Sequence, residues 1–164
     1  MLDFETIYRR YWPDVMRFSL YLCGNTAEAE DLAATAFLRA WTSIRTVRLP
    51  TVKAYLFVIV RNLYRDHLRQ EARRRTRQIP DSHPDPGCGP AVQAAQHDDL
   101  ERTLSALQQL RENDREILSM AAVDGMPHVL IAAARGTSVA AVKVQLHRAR
   151  ARLSEILQKT RSES

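Results

Sequence analysis

Cysteine is scarce in this chain. Its two copies, Cys23 and Cys88, lack the paired spacing of a zinc site and are too few for a secreted disulfide framework. A reduced, cytoplasmic protein is expected. No apolar run reaches membrane-spanning length, and the amino terminus lacks a basic stretch followed by an apolar signal core, so membrane insertion is not expected. Glycine is also sparse, at five residues, and none sits in a phosphate-cradling loop. His67, His83, His97, His128 and His147 are scattered without metal-ligand spacing, and no nucleophile stands beside a positioned base. Catalysis, a metal and a cofactor are therefore not expected. Strand-like alternation and internal repeats are missing too, which leaves helices as the regular structure.

Acidic residues are almost absent from one stretch. Up to Asp31 acids lead, with Asp3, Glu5, Asp14, Glu28, Glu30 and Asp31 against Arg9, Arg10 and Arg17. From Leu32 to Gln78 the only acids are Asp66 and Glu71, set among many bases. The net charge of +5 and the basic isoelectric point favour an acidic partner such as nucleic acid. At 164 residues the chain suits one medium domain or two small helical ones that lean on a partner.

An all-α fold of two small domains is predicted. Phe4, Ile7, Tyr8 and Tyr11 make an apolar stripe that Val15, Phe18 and Leu22 continue, and Pro13 is expected to start a second helix or kink the first. Gly24-Asn25 ends that segment, and Asn25 with Glu28 resembles a capping box. Ala29, Leu32, Ala33, Ala36, Phe37, Ala40 and Trp41 form the next inward face. After a loop from Ser43 to Thr51, a long helix turns Leu56, Ile59, Val60, Leu63 and Leu68 inward. Its exposed side is basic and aromatic: Lys53, Tyr55, Phe57, Arg61, Asn62, Tyr64, Arg65 and Arg69 suit single-stranded nucleic acid, unless Tyr55 and Phe57 belong to the core.

Prolines and glycines concentrated between residues 76 and 97 mark a linker that separates domains at 1–75 and 98–160. Beyond it, Asp98 with Glu101 is expected to cap a helix bearing Leu100, Leu104, Leu107 and Leu110. Asn113 with Glu116 should cap another, bearing Ile117, Leu118, Ala121 and Ala122 and stopping at Asp124-Gly125. A short helix from about Pro127 carries Val129, Ile131 and Ala132 to Ala134 up to the Arg135-Gly136 turn. The last helix, capped by Ser138 or Thr137, buries Val139, Val142, Leu146, Ala149, Leu153 and Ile156, leaving Lys143, His147, Arg148, Arg150 and Arg152 available. That pair is a helix-turn-helix.

With these blocks in order, AEAEDLAATAFLRAW, YLFVIVRNLYRDHLR, a linker, LRENDREIL and SVAAVKVQLHRARARL, the chain resembles a bacterial group IV sigma factor of the extracytoplasmic-function type. The resemblance implies a subunit that binds core RNA polymerase, directs it to promoters and assists their opening, with an anti-sigma protein or other regulator as a candidate partner. It assigns core binding to Glu28, Glu30, Asp31, Leu32, Phe37 and Arg39. It assigns minus-ten recognition, on duplex and then single-stranded non-template DNA, to Arg45, Arg48, Lys53, Tyr55, Arg61, Asn62, Arg65 and Arg69, with Asp66 as a structural partner of a nearby arginine. Minus-thirty-five recognition falls to Arg135, Ser138, Val139, Ala140, Ala141, Lys143, Val144, His147, Arg148 and Arg150. Where the family commonly has Gln-Glu, this chain has Ala34-Thr35, which removes polar groups from the polymerase contact; phosphorylation of Thr35 would restore charge. The acidic residue usual in the first helix of the pair is also missing. Competing readings are a stand-alone helix-turn-helix regulator and a polymerase-binding decoy.

Overall fold

The computed structural model describes residues 3–43, 51–77, 94–122 and 125–163. Among them all regular structure is helical: α1 (Phe4–Cys23), α2 (Thr26–Ser43), α3 (Val52–Arg77), α4 (Ala94–Gln109), α5 (Glu112–Ala122), α6 (His128–Arg135) and α7 (Val139–Ser162). No single helix among these residues is long and apolar enough to cross a membrane.

The first three helices pack on one another around Phe18 and Phe57, whose rings stack with centroids 4.3 Å apart. Ile7, Val15, Leu22, Ala33, Ala36, Leu56 and Val60 complete that core. Asp3 caps α1 by accepting from the Thr6 amide at 2.7 Å. One continuous helix then runs through Pro13, neither restarted nor divided as the proline suggested. Pro13 lies on the exposed side, where water can satisfy the carbonyl that loses its donor, while Ile7, Val15 and Phe18 hold both flanks in the core. At the other end Gly24 adopts φ 71°, and its amide donates to the Leu20 carbonyl.

Asn25 accepts from the Glu28 amide at 3.0 Å and so opens α2, but the Glu28 carboxylate goes to His67 instead of back to the cap. Thr51 opens α3 by accepting from the Ala54 amide at 3.0 Å. Two expected caps are displaced. The fourth helix begins at Ala94, ahead of Asp98, because the Ala-Gln-rich run after Pro90 propagates a helix. Likewise α5 starts at Glu112, ahead of Asn113. Three large apolar residues expected inside are exposed, Trp41, Leu100 and Val129, as are the small Ala122 and Ala133. Trp41 sits at the margin of the apolar arc of α2, whereas Val129 lies on the side of α6 turned away from Ile131.

Helices α4 to α7 enclose a second core of Leu107, Leu110, Ile117, Met120, Ile131, Val142, Leu146 and Ala149. The two cores meet, because α1 packs on α4 and α5 while α3 packs on α6. Gln108 fastens this seam: its Nε2 donates to the carbonyls of Tyr21 at 3.4 Å and Leu22 at 3.2 Å, and its Oε1 accepts from Arg115 at 2.8 Å. A Cβ at position 24 would stand 3.0 Å from the Gln108 side chain. Gly24→Ala is therefore expected to cost about 1–2 kcal/mol from the left-handed backbone, and more where Gln108 must give way. Urea unfolding should show an earlier midpoint at unchanged slope.

Candidate nucleic-acid and protein interfaces

The helix-turn-helix is built by one glycine and one serine. Gly136 ends α6 at φ 64°, and the Thr137 amide donates back to the Ala132 carbonyl at 3.0 Å. Ser138, rather than Thr137, caps α7 by accepting from the Ala141 amide at 3.1 Å. The axes of α6 and α7 meet at 99°, within the range of DNA-binding helix pairs. Small Ala132 and Ala134 are buried beneath the turn, and Val142, Leu146 and Ala149 fix the inner face of α7.

Helical spacing then puts Ala140, Lys143, Val144 and His147 together on the outer face, with Arg148 and Arg150 on opposite flanks. All six are exposed, as is Ser138, while Val139 and Ala141 are half-buried. Two arginines expected to be available are engaged. Arg135 is only 10% exposed and donates to Glu116 at 2.9 Å. Arg152 pairs with Asp114 of α5.

On α3 the expected basic-aromatic face divides three ways. Phe57 and Tyr64 are buried, so neither offers a stacking platform; both lie on the inward line with Val60. Burial pushes the Tyr64 hydroxyl up to about 12. Lys53 forms an ion pair with Asp14 at 2.8 Å, and Tyr55 is half-buried. Arg61 and Arg65 point into the seam. One Nη of Arg61 donates to the Ala134 carbonyl at 3.0 Å, and Arg65 grips both carboxylate oxygens of Glu116 at 2.8 and 2.9 Å. Desolvation, then the like charge of Arg65, lowers the Arg61 pKa, whereas the bond to Glu116 raises that of Arg65. Asn62 and Arg69 face solvent, Arg69 within 3.5 Å of Asp66. Arg45 and Arg48 lie outside the described residues.

Glu30 and Asp31 are exposed at the start of α2. Leu32 and Phe37, both assigned to a partner contact, are instead buried in the protein's own core, since they fall on the same face as Ala29, Ala33 and Ala36. Arg39 is exposed. The outer face of α2 carries Glu30, Ala34, Leu38 and Trp41, with Leu38 66% and Trp41 49% exposed. Sequence reasoning misses this apolar pair, although a hydrophobic residue at the helical spacing of exposed acids is its signal.

His67 is not isolated. Its Nε2 lies 2.7 Å from Glu28 and 3.1 Å from Glu71, and the three ligand atoms fall within 4.8 Å of one another. The group could hold a divalent metal by proximity, and as it stands it is an imidazole clamped by two carboxylates. Burial raises the Glu28 pKa. Cys23, whose thiol burial pushes up to about 11, has no reactive character.

Residues 7–74 match the family described as Sigma-70 region 2, and residues 100–153 match Sigma-70, region 4. The extracytoplasmic-function sigma factor EcfG of Rhodopseudomonas palustris is 31% identical over 148 residues, 88% of this chain and 80% of that protein. SigE of Mycolicibacterium smegmatis is 28% identical over 170 residues, and this chain spans 65% of its length. Among solved structures, the sigma factor RpoE of Bartonella quintana, crystallised with the anti-sigma factor NepR, superposes with a TM-score of 0.75 at 26% identity, covering 95% of this chain and 97% of that one. Two regions matched in chain order, with relatives spanning most of its length, place this chain in the sigma-70 family as an RNA polymerase sigma factor of the extracytoplasmic-function group.

Proposed function

We propose that the chain acts in the cytoplasm, without catalysis of its own, as a split promoter reader carried by core RNA polymerase. The two reading units are residues 1–75 and 98–160, tethered by the intervening linker. The observation that carries this reading is the outer face of α7: Ala140, Lys143, Val144 and His147 between two flanking arginines, beyond a 99° turn. Set in a major groove, Lys143 supplies the one charged hydrogen bond to a base edge, while Ala140 and Val144 suit thymine methyl groups. Arg148 and Arg150 face opposite ways and suit the phosphates of the two groove walls. So few polar readers make DNA shape part of minus-thirty-five selection.

Minus-ten recognition belongs to α3 and the segment before it. Asn62 and Arg69 are accessible, and Arg61 and Arg65 join them once the seam opens. Extruding a base costs a few kcal/mol, which phosphate neutralisation by these arginines offsets. Core docking belongs to the outer face of α2. Glu30 and Asp31 suit a basic clamp surface, and Leu38 and Trp41 supply apolar contact that Leu32 and Phe37 cannot. Ala34 lies on that face, so the family's glutamine is missing from its middle, and the apolar pair shifts the balance of the contact away from polar groups. An anti-sigma protein as regulator is supported by the similar sigma factor RpoE, solved in complex with the anti-sigma factor NepR.

The test is transcription with purified core polymerase, together with copurification. The chain is expected to bind core and start RNA at sites that core alone ignores; binding to duplex DNA with no effect on core would point to a stand-alone regulator.

A further inference from the structure

We propose that Glu116 is an internal stand-in for a DNA phosphate, which holds the free chain closed by occupying arginines from both promoter-reading units. This rests on the split-reader assignment above. Glu116 lies on α5, is 0% exposed, and receives Arg65 from α3 and Arg135 from the helix-turn-helix through the same carboxylate. The geometry is that of a phosphate site: a forked guanidinium gripping two oxygens, with a second guanidinium sharing one of them. A carboxylate and a phosphate compete for such a fork on equal stereochemical terms. Nearby, Arg61 is spent on the Ala134 carbonyl of α6, so minus-ten arginines and the helix-turn-helix mask one another.

Three features mark this contact as releasable. Positive charge is in surplus, since Arg61, Arg65, Arg115 and Arg135 gather around Glu112 and Glu116. An arriving polyanion therefore finds a seam that is still attractive to it. Among the described residues the Nε atoms of Arg61, Arg115 and Arg135 are buried and find no acceptor, a standing cost that a permanent interface between two units would have removed. Beside Arg65 an open cleft of about 610 Å³, walled by Arg69 and Arg111 and by the single carboxylate of Glu112, gives a phosphate chain a path to the fork. Opening exposes Arg61, Arg65 and Arg135 together, so docking on polymerase and exposure of the DNA-reading groups become one event.

The experiment compares the full-length wild type with Glu116→Gln and Gln108→Ala, using small-angle scattering and the anisotropy of a labelled fork-junction promoter DNA without polymerase. Gln keeps the shape of Glu116 and removes its charge. If fewer than about one chain in ten is open, freeing the arginines raises apparent DNA affinity about tenfold or more. Glu116→Gln is expected to show that gain and a larger radius of gyration; Gln108→Ala, which loosens the seam without touching a DNA-reading arginine, should show a smaller change in the same direction. Glu155→Gln, an exposed site on α7, controls for net charge and should change neither. Circular dichroism checks that each variant keeps its helices, and Gln108→Ala decides the matter if Glu116→Gln does not fold. Unchanged radius and DNA affinity in the folded variants, or a wild type already extended, would overturn the proposal. Core-programmed transcription by the wild type is read separately: its failure sinks the split-reader assignment, whereas its persistence beside unchanged variants sinks only the role of Glu116.

Discussion

Replacing Phe57 with alanine should cost about 3–5 kcal/mol of stability, the largest loss expected from a single substitution in the first three helices. The ring is fully buried and stacks on Phe18 with an interplanar angle of 7°. Truncation removes that apolar area from α3 and leaves a hole between two helices that are held on their other sides by Val15, Leu22, Leu56 and Val60. Domains of this size hold roughly 5–15 kcal/mol in total, so the variant should be near its threshold at growth temperature. Thermal melts should show a midpoint lowered by roughly 6–20 °C. A drop of a degree or two would mean that Phe57 is at the surface, available to stack on an unpaired base.

The second large effect concerns the flanks of α7. Arg148→Ala combined with Arg150→Ala should weaken holoenzyme binding to duplex promoter DNA almost equally for good and poor minus-thirty-five sequences. It should also lower the slope of log affinity against log salt by about 2, one for each phosphate no longer neutralised. Lys143→Ala should behave differently. As the one charged group on the outer face, it should reduce discrimination at one base pair by about 1–3 kcal/mol with little change in salt slope. Filter binding or anisotropy across a salt series separates the two patterns. An unchanged slope in the double variant would mean that these arginines face solvent in the complex as well.

Local chemistry makes much of this architecture legible in the residues. The inner face of α7, its Ser138 cap and the Gly136 turn follow from a 3.6-residue period and from glycine's tolerance of a left-handed backbone. The blocks AEAEDLAATAFLRAW and SVAAVKVQLHRARARL fall in the two regions matched to the sigma-70 family. Tertiary demand is what the residues do not display. A capping pattern at Asn113 and Glu116 is a local signal, but Glu116 is claimed by Arg65, 51 residues away along the chain. Phe57 and Tyr64 have the composition of a base-stacking surface, and packing against α1 and α5 decides otherwise. Leu32 and Phe37 follow the acids of α2 closely enough in sequence to suggest a shared partner surface; a rotation of about 100° per residue sends them inward and turns Leu38 and Trp41 out. Period and capping are encoded within a few residues. Which cations find which anions depends on how the two units meet.

Permanganate reactivity of unpaired thymines around the minus-ten element, measured on promoter DNA with core polymerase, tests the split-reader account most directly. Wild-type chain should make those thymines reactive. The variant carrying Arg61→Ala, Asn62→Ala and Arg65→Ala should copurify with core as well as wild type does, yet leave the thymines protected. Loss of core binding in parallel with loss of opening, or full reactivity with all three side chains gone, would contradict it.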